Sequence, residues 1–164
     1  MKVFRITTAV LLAVWMCVIF SFSAQNAETS SDTSAGVIEK IAGAVYPGYN
    51  EMTESEQKET VDSLQHVTRK TAHATIYAVL GVLSLLTFIS YERLKRIARV
   101  GISATVCLLY AASDEFHQLF VAGRSCEFRD VMIDFSGAAV GIAFSFLIVL
   151  LISRRKSEKA GVKK

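Results

Sequence analysis

Residues 100–124 read VGISATVCLLYAASDEFHQLFVAGR, a mostly apolar run that gives way abruptly to charged and polar side chains. The polar groups are Asp114, Glu115, His117, Gln118 and Arg124. If the apolar run crosses a membrane as a helix, these groups lie where hydrocarbon meets headgroups. Charge is costly at that depth unless the groups pair with one another or bind something. The stretch therefore predicts a polar site at one end of a membrane helix.

Composition extends the membrane interpretation to the whole chain. Of its 164 residues, 52% are hydrophobic and 20% are charged, and there is a single proline. The apolar residues form four runs of roughly 20 residues, the length needed to cross a hydrocarbon core of about 30 Å. These features predict an all-α fold, a bundle of four transmembrane helices in one small multi-pass membrane protein.

The predicted segments divide residues 1–164, a single domain, as follows. The spans are residues 3–23, 71–90, 97–114 and 131–152; residues 24–68 form an acidic segment, and residues 153–164 a basic tail. The first span also has the basic flank and small residues of a secretory signal peptide, but its apolar part is longer than a usual signal core of about 7–15 residues. We expect a retained helix.

The acidic segment is expected to contain short amphipathic helices on the extracytoplasmic side. One is indicated by helical spacing at Val37, Ile38, Ile41 and Val45, ending at Pro47. A second is predicted from Glu54 through Leu64, because Thr53 and Glu56 have the spacing of a capping box. We interpret both as a lid or as interfacial helices rather than as catalytic elements.

The distribution of Lys and Arg predicts the topology. Basic residues cluster near the N-terminus, in the turn at residues 93–99 and in the tail. Short loops rich in Lys and Arg stay in the cytoplasm. A topology of four spans with both termini in the cytoplasm puts all three basic clusters in the cytoplasm. It places residues 24–68 and 114–130 outside.

With that topology, polar groups from every span reach the outer membrane level. They are Ser21, Ser23 and Gln25 from span one; Arg69, Lys70, His73 and Tyr77 from span two; Asp114, Glu115, His117 and Gln118 from span three; and Arg129, Asp130 and Asp134 from span four. The inner halves of the spans show no such enrichment. One polar site on the outer face is the simplest interpretation.

Helical spacing adds detail to this site. Asp130, Asp134, Gly137 and Gly141 share one face of span four. The two glycines form a GxxxG pattern, which lets helix backbones approach closely. The carboxylates are therefore expected to point into the bundle. Asp134 lies about one turn inside the span, which argues either for a partner, with Lys70 or Arg129 as candidates, or for a function.

These residue types suggest chemistry of two kinds. The catalytic candidates are His73 and His117 as bases, and Asp114, Glu115 and Asp134 as acids or orienting groups. The binding candidates are Gln25, Arg69, Lys70, Tyr77, Gln118, Arg124, Arg129 and Asp130, with Lys70, Arg124 and Arg129 suited to phosphate or carboxylate. Tyr77 could instead be an interfacial anchor, and Arg69 and Lys70 could extend to headgroups. His73 could instead make a structural hydrogen bond between helices.

Known catalytic and metal signatures are not found. The sequence has no HExxH and no G-x-S-x-G motif, and its three cysteines are not spaced for a metal site. We predict no cofactor and no bound metal, although His73, His117 and a carboxylate are ligand types that suit zinc. A purely structural network of ion pairs is the alternative for the whole set.

Three blocks of residues resemble the VanZ family. They are Arg69-Lys70-x-x-His73-x-x-x-Tyr77-x-x-Leu80-Gly81, Tyr110-Ala-x-x-Asp114-Glu115-x-His117-Gln118-x-Phe120-x-x-x-Arg124, and the segment from Asp130 to Gly141. Ser21-Phe-Ser23-Ala-Gln25 is similar to a compact Ser-Ser-Gln pattern of the family, with Phe22 and Ala24 placed among its residues. The resemblance covers nearly the whole chain except residues 26–68.

The resemblance implies a small bacterial integral membrane protein of the cell envelope, of a family whose founding member is associated with resistance to teicoplanin, a lipid-tailed glycopeptide. The expected partners are the lipid bilayer and a membrane lipid or lipid-linked envelope molecule. Two other functions stay open: an intramembrane enzyme acting on a lipid-linked substrate, and a non-catalytic scaffold. Nucleic-acid binding has no support, because the basic tail is a short membrane flank. The sequence does not indicate an oligomeric state.

Overall fold

The computed structural model describes residues 2–24, 38–40, 42–44, 46–124 and 126–161. Within these ranges the protein has no β-strand and four long helices: α1 (Lys2–Ser23), α2 (Glu54–Ile89), α3 (Arg96–Gln118) and α4 (Phe128–Gly161). All four are long and apolar enough to cross a membrane. The all-α prediction with four potential spans is confirmed.

Successive helices run in alternating directions, as specific contacts between them show. The Trp15 indole Nε1 of α1 donates a hydrogen bond to the backbone oxygen of Ile76 in α2 (3.0 Å). At the other end of the bundle the Arg5 guanidinium lies over the Tyr91 ring, 5.0 Å from its centroid. Tyr110 of α3 donates to the backbone oxygen of Met16. The first two contacts make α1 antiparallel to α2. The third, with the hydrogen bond from Gln118 of α3 to Ser23 at the end of α1, makes α1 parallel to α3.

Helices α2 and α4 run parallel and pack backbone to backbone. A Cβ added to Gly137 would lie 2.1 Å from the Ala74 oxygen, and one added to Gly141 would lie 1.9 Å from the Ala78 oxygen. Only hydrogen at Cα allows so close an approach. The predicted role of the GxxxG pattern is confirmed, and α2 forms its most extensive helix contact here.

The N-terminus of α2 differs from the prediction in one respect. Thr53 and Glu56 form the expected capping box, but the helix from Glu54 continues without a break to Ile89. The predicted second short helix and span two are therefore one helix of 36 residues. No proline or glycine lies between Glu54 and Leu80, so nothing in this part of the chain ends the helix.

The predicted first short helix falls only partly on described residues. Residues 38–40 and 42–44 are helical, and Ile38 and Ala42 are buried one turn apart. Val37, Ile41 and Val45 lie outside the described residues. A single 3-10 turn, Tyr49–Glu51, connects this region to α2 after Gly48, whose positive φ of 79° suits glycine.

Candidate functional site

A cavity of about 120 Å³ opens between α2, α4 and the end of α3. We call it the polar cavity. Its lining consists of Arg69, Lys70, His73, Glu115, Gln118, Gly123, Arg124, Glu127, Asp130, Ile133 and Asp134. Among the described residues it therefore gathers three basic side chains and four carboxylates in a space large enough for several water molecules or a small polar group.

The wall between α2 and α4 consists of matched basic and acidic residues. Lys70 Nζ pairs with Asp130 Oδ1. One helical turn further into the bundle, His73 Nδ1 lies 3.7 Å from Asp134 Oδ1. Both pairs join α2 to α4, the second one helical turn deeper than the first. The prediction that Lys70 or Arg129 would be the partner of Asp134 is wrong, since Lys70 pairs with Asp130 and His73 takes that place.

Asp134 is the most constrained of the lining carboxylates. Its residue surface is 1% exposed, and its Oδ2 atom has no hydrogen-bond partner among the described residues. A buried polar atom without a partner costs about 1–3 kcal/mol, more for a charged group. Because Asp134 also lines the polar cavity, its carboxylate lies where it could accept from a donor group bound there.

The opposite wall comes from α3 and the turn after it. The Glu127 backbone N–H donates to Glu115 Oε2 (3.2 Å), which ties the start of α4 to α3. Gly123, which also lines the cavity, has a positive φ of 76°, the left-handed conformation that favours glycine. Burial, and then the neighbouring charge of Arg69, lower the pKa of Arg124 from its ordinary value, but a guanidinium stays protonated in proteins.

A family model described as VanZ/LLP1 matches residues 8–151. The chain belongs to the VanZ/LLP1 family. The matched range contains every residue that lines the polar cavity. Together with the four apolar helices, membership fits a multi-pass membrane protein. No curated protein and no solved structure matches the chain.

In this VanZ/LLP1 protein the cavity collects most of the residues that the sequence singled out. The predicted candidates on its lining are His73, Glu115, Asp134, Arg69, Lys70, Gln118, Arg124 and Asp130. Gln118 Nε2 also donates to Ser23 Oγ (3.3 Å), so the end of α1 reaches the same level. Gln25, the other predicted residue from this region, lies outside the described residues.

Four other candidates lie beside the cavity rather than on it. Tyr77 and Asp114 are buried beneath it, where Tyr77 Oη donates to Asp114 Oδ2 (3.2 Å) and joins α2 to α3. His117 turns toward α1 and stacks on Phe20, with ring centroids 4.4 Å apart. Arg129 is exposed. The structure thus gives Asp114 and His117 contacts between helices and leaves His73 as the imidazole on the cavity wall.

Three lining residues, Gly123, Glu127 and Ile133, were missed by sequence reasoning. Glu127 precedes α4 and lies three residues before Asp130, a spacing that places both on one face of a helical turn. That spacing was an available signal. Ile133 supplies an apolar patch and carries no sequence signal of its own. Within the described ranges, no group of three His, Cys, Asp or Glu side chains could hold a metal ion.

Proposed function

We propose that this VanZ/LLP1 protein binds the polar head of a membrane-embedded envelope molecule in the polar cavity, on the extracytoplasmic side of a bacterial membrane. The positive-inside rule supports the sidedness. It places the Lys2 and Arg5 end of the bundle, with the turn at residues 93–99, in the cytoplasm and therefore the cavity outside. Both termini are then cytoplasmic. A lipid-linked molecule would present its head at this level.

The side chains that line the cavity suit a polar headgroup that carries both hydrogen-bond acceptors and hydrogen-bond donors. Arg69 and Arg124 provide planar guanidinium groups, which bind phosphate or carboxylate through two parallel hydrogen bonds. Lys70 is already engaged by Asp130, so it contributes mainly to holding α2 against α4. On the inner side, Asp134 accepts from an ammonium, amide or hydroxyl group of the ligand.

The observation that carries this proposal is the open acceptor of Asp134. Asp134 lines the cavity and is 1% exposed, and its Oδ2 has no hydrogen-bond partner among the described residues, which is costly for a purely structural role. A ligand donor at Oδ2 would offset that cost. The resemblance to the VanZ family adds a candidate ligand, because teicoplanin carries a lipid tail and a polar glycopeptide head.

Growth inhibition tests the proposal directly. Cells with and without the protein are compared for teicoplanin and for vancomycin, which has no lipid tail. We expect protection against teicoplanin, and we expect Asp134→Asn to remove it at unchanged protein abundance. Asp62→Asn, the same change at an exposed site of α2 outside the cavity, is the matched control. Equal susceptibility of all strains would show that the protein has no role in resistance to teicoplanin.

A second function, acid–base catalysis on a lipid-linked substrate, rests on the His73–Asp134 contact. An imidazole oriented by a buried carboxylate is a common general base, and both groups line the cavity. The expected readout is a change in envelope lipids that His73→Gln abolishes while ligand binding persists. Unchanged lipids in cells without the protein would contradict catalysis.

The scaffold alternative makes a different prediction for the same variants. If the polar groups only fix helix packing, Asp134→Asn and His73→Gln lower protein abundance and phenotype in parallel. Loss of the phenotype at normal abundance excludes that interpretation.

A further inference from the structure

A second cavity lies at the other end of the bundle, between the end of α2, the start of α3 and the C-terminal half of α4. Its volume is about 120 Å³. Its lining consists of Leu85, Ile89, Arg96, Arg99, Phe146, Val149, Leu150 and Ser153. We call it the basic cleft.

The basic cleft has a different chemistry from the polar cavity. Its walls are aliphatic and aromatic, and two guanidinium groups, from Arg96 and Arg99, supply its charge. None of the described residues that line it is a carboxylate. Apolar walls suit hydrocarbon and guanidinium groups suit phosphate, so the cleft is complementary to a molecule that combines the two.

Arg99 is held in place before any ligand binds. Its Nε donates to the backbone oxygen of Leu94 (3.0 Å), and its Nη2 donates to that of Glu92 (3.2 Å). These bonds use two of the five N–H donors of a guanidinium. The remaining donors are available to an anion, and a side chain already fixed loses little entropy on binding one.

The surroundings of the cleft add to its positive potential. Within the described part of this end of the bundle, residues 2–7, 91–99 and 152–155 contain eight Lys and Arg and one carboxylate. Arg96 is exposed and is the first residue of α3, where the helix dipole is positive. Anionic lipids in the adjacent leaflet are attracted to such a cluster.

We propose that the basic cleft binds one anionic phospholipid from the leaflet at this end of the bundle. The phosphate contacts Arg96 and Arg99, and part of an acyl chain lies against Leu85 and Leu150. This site is independent of the proposed ligand of the polar cavity, because the two cavities are at opposite ends of the helices.

Native mass spectrometry of the full chain in non-ionic detergent tests the proposal. Phosphatidylglycerol and phosphatidylcholine with identical acyl chains are titrated in parallel. We expect one phosphatidylglycerol to bind preferentially and Arg96→Gln to weaken it about fivefold, the effect of one basic residue near anionic lipid. Arg93→Gln removes the same charge from an exposed site in the same turn that does not line the cleft, and it should weaken binding clearly less than Arg96→Gln.

A second variant tests the apolar part of the site. Leu150→Trp fills the cleft while both arginines remain, and it should also weaken phosphatidylglycerol binding. Asp134→Asn, at the other end of the bundle, should not. Equal weakening by Arg93→Gln and Arg96→Gln would indicate diffuse attraction and overturn the proposal. Phosphatidylcholine binding as tightly as phosphatidylglycerol, or full binding by Leu150→Trp, would overturn it as well.

Discussion

Replacing Gly141 by alanine tests the central contact of the bundle. A Cβ at this position would lie 1.9 Å from the backbone oxygen of Ala78, and ordinary van der Waals contact begins at 3.4 Å. The two helices would have to separate by about 1.5 Å here, since a backbone oxygen cannot move aside as a side chain can.

The loss of folding free energy caused by moving the two helices apart has an expected range. Inserting atoms into a tightly packed interface costs about 1–3 kcal/mol, and more when backbone must shift. Similar close contacts at Gly137 and Gly81 would be loosened as the helices move apart. We therefore expect Gly141→Ala to destabilise the protein by about 3 kcal/mol, at the upper end of that range.

Unfolding of the purified protein in mixed detergent micelles, titrated with a denaturing detergent, measures this change. Gly101→Ala is the matched control, because nothing lies within 4 Å of a Cβ there. Alanine should stabilise that exposed helical position by up to about 1 kcal/mol. If Gly141→Ala unfolds at the same detergent fraction as Gly101→Ala, the backbone contact between α2 and α4 does not hold the bundle together.

Three further predictions concern side chains. Lys70→Asp should destabilise the protein by about 1 kcal/mol in the same assay, and Lys70→Asp with Asp130→Lys should recover most of it; a double variant no better than the single one would contradict the pairing. Tyr77→Phe removes the donor to the buried Asp114 and should cost about 1–3 kcal/mol, whereas an unchanged unfolding midpoint would show that this bond is dispensable. Thr53→Ala removes the capping box and should cost about 1 kcal/mol. Faster hydrogen exchange confined to the first turn of α2 would show that loss, and unchanged exchange there would contradict it.

The fold was accessible from sequence because its signals are local. Four apolar runs, each about the length of a membrane crossing, specify four helices without reference to one another. The capping box at Thr53 and the GxxxG pattern at Gly137 and Gly141 are local in the same sense. Each feature needs only a few neighbouring residues to be recognised.

The arrangement of the site was harder to predict because it depends on which helix lies beside each face. His117 and Gln118 are adjacent in sequence and point about 100° apart on a helix. Spacing alone does not say whether α1 or α4 covers one of them. In the structure His117 faces Phe20 of α1, and Gln118 lines the cavity.

The partner of Asp134 shows the same dependence on long-range packing. The sequence suggested Lys70 or Arg129 as the partner, because both are cations at a similar depth. The register between α4 and α2 is instead set by the contacts of Gly137 with Ala74 and of Gly141 with Ala78. In that register Asp134 meets His73. No pattern within either helix contains this information.

The same contacts couple the packing of the bundle to its polar cavity. Gly137 lies one turn below Asp134 on α4, and Ala74 follows His73 on α2. Any change that moves these backbones apart therefore also lengthens the His73–Asp134 contact of 3.7 Å. If the cavity binds a ligand through Asp134, Gly137→Ala should weaken binding even under conditions where the protein stays folded. Unchanged ligand binding by a folded Gly137→Ala protein would show that the site does not depend on the helix packing beneath it.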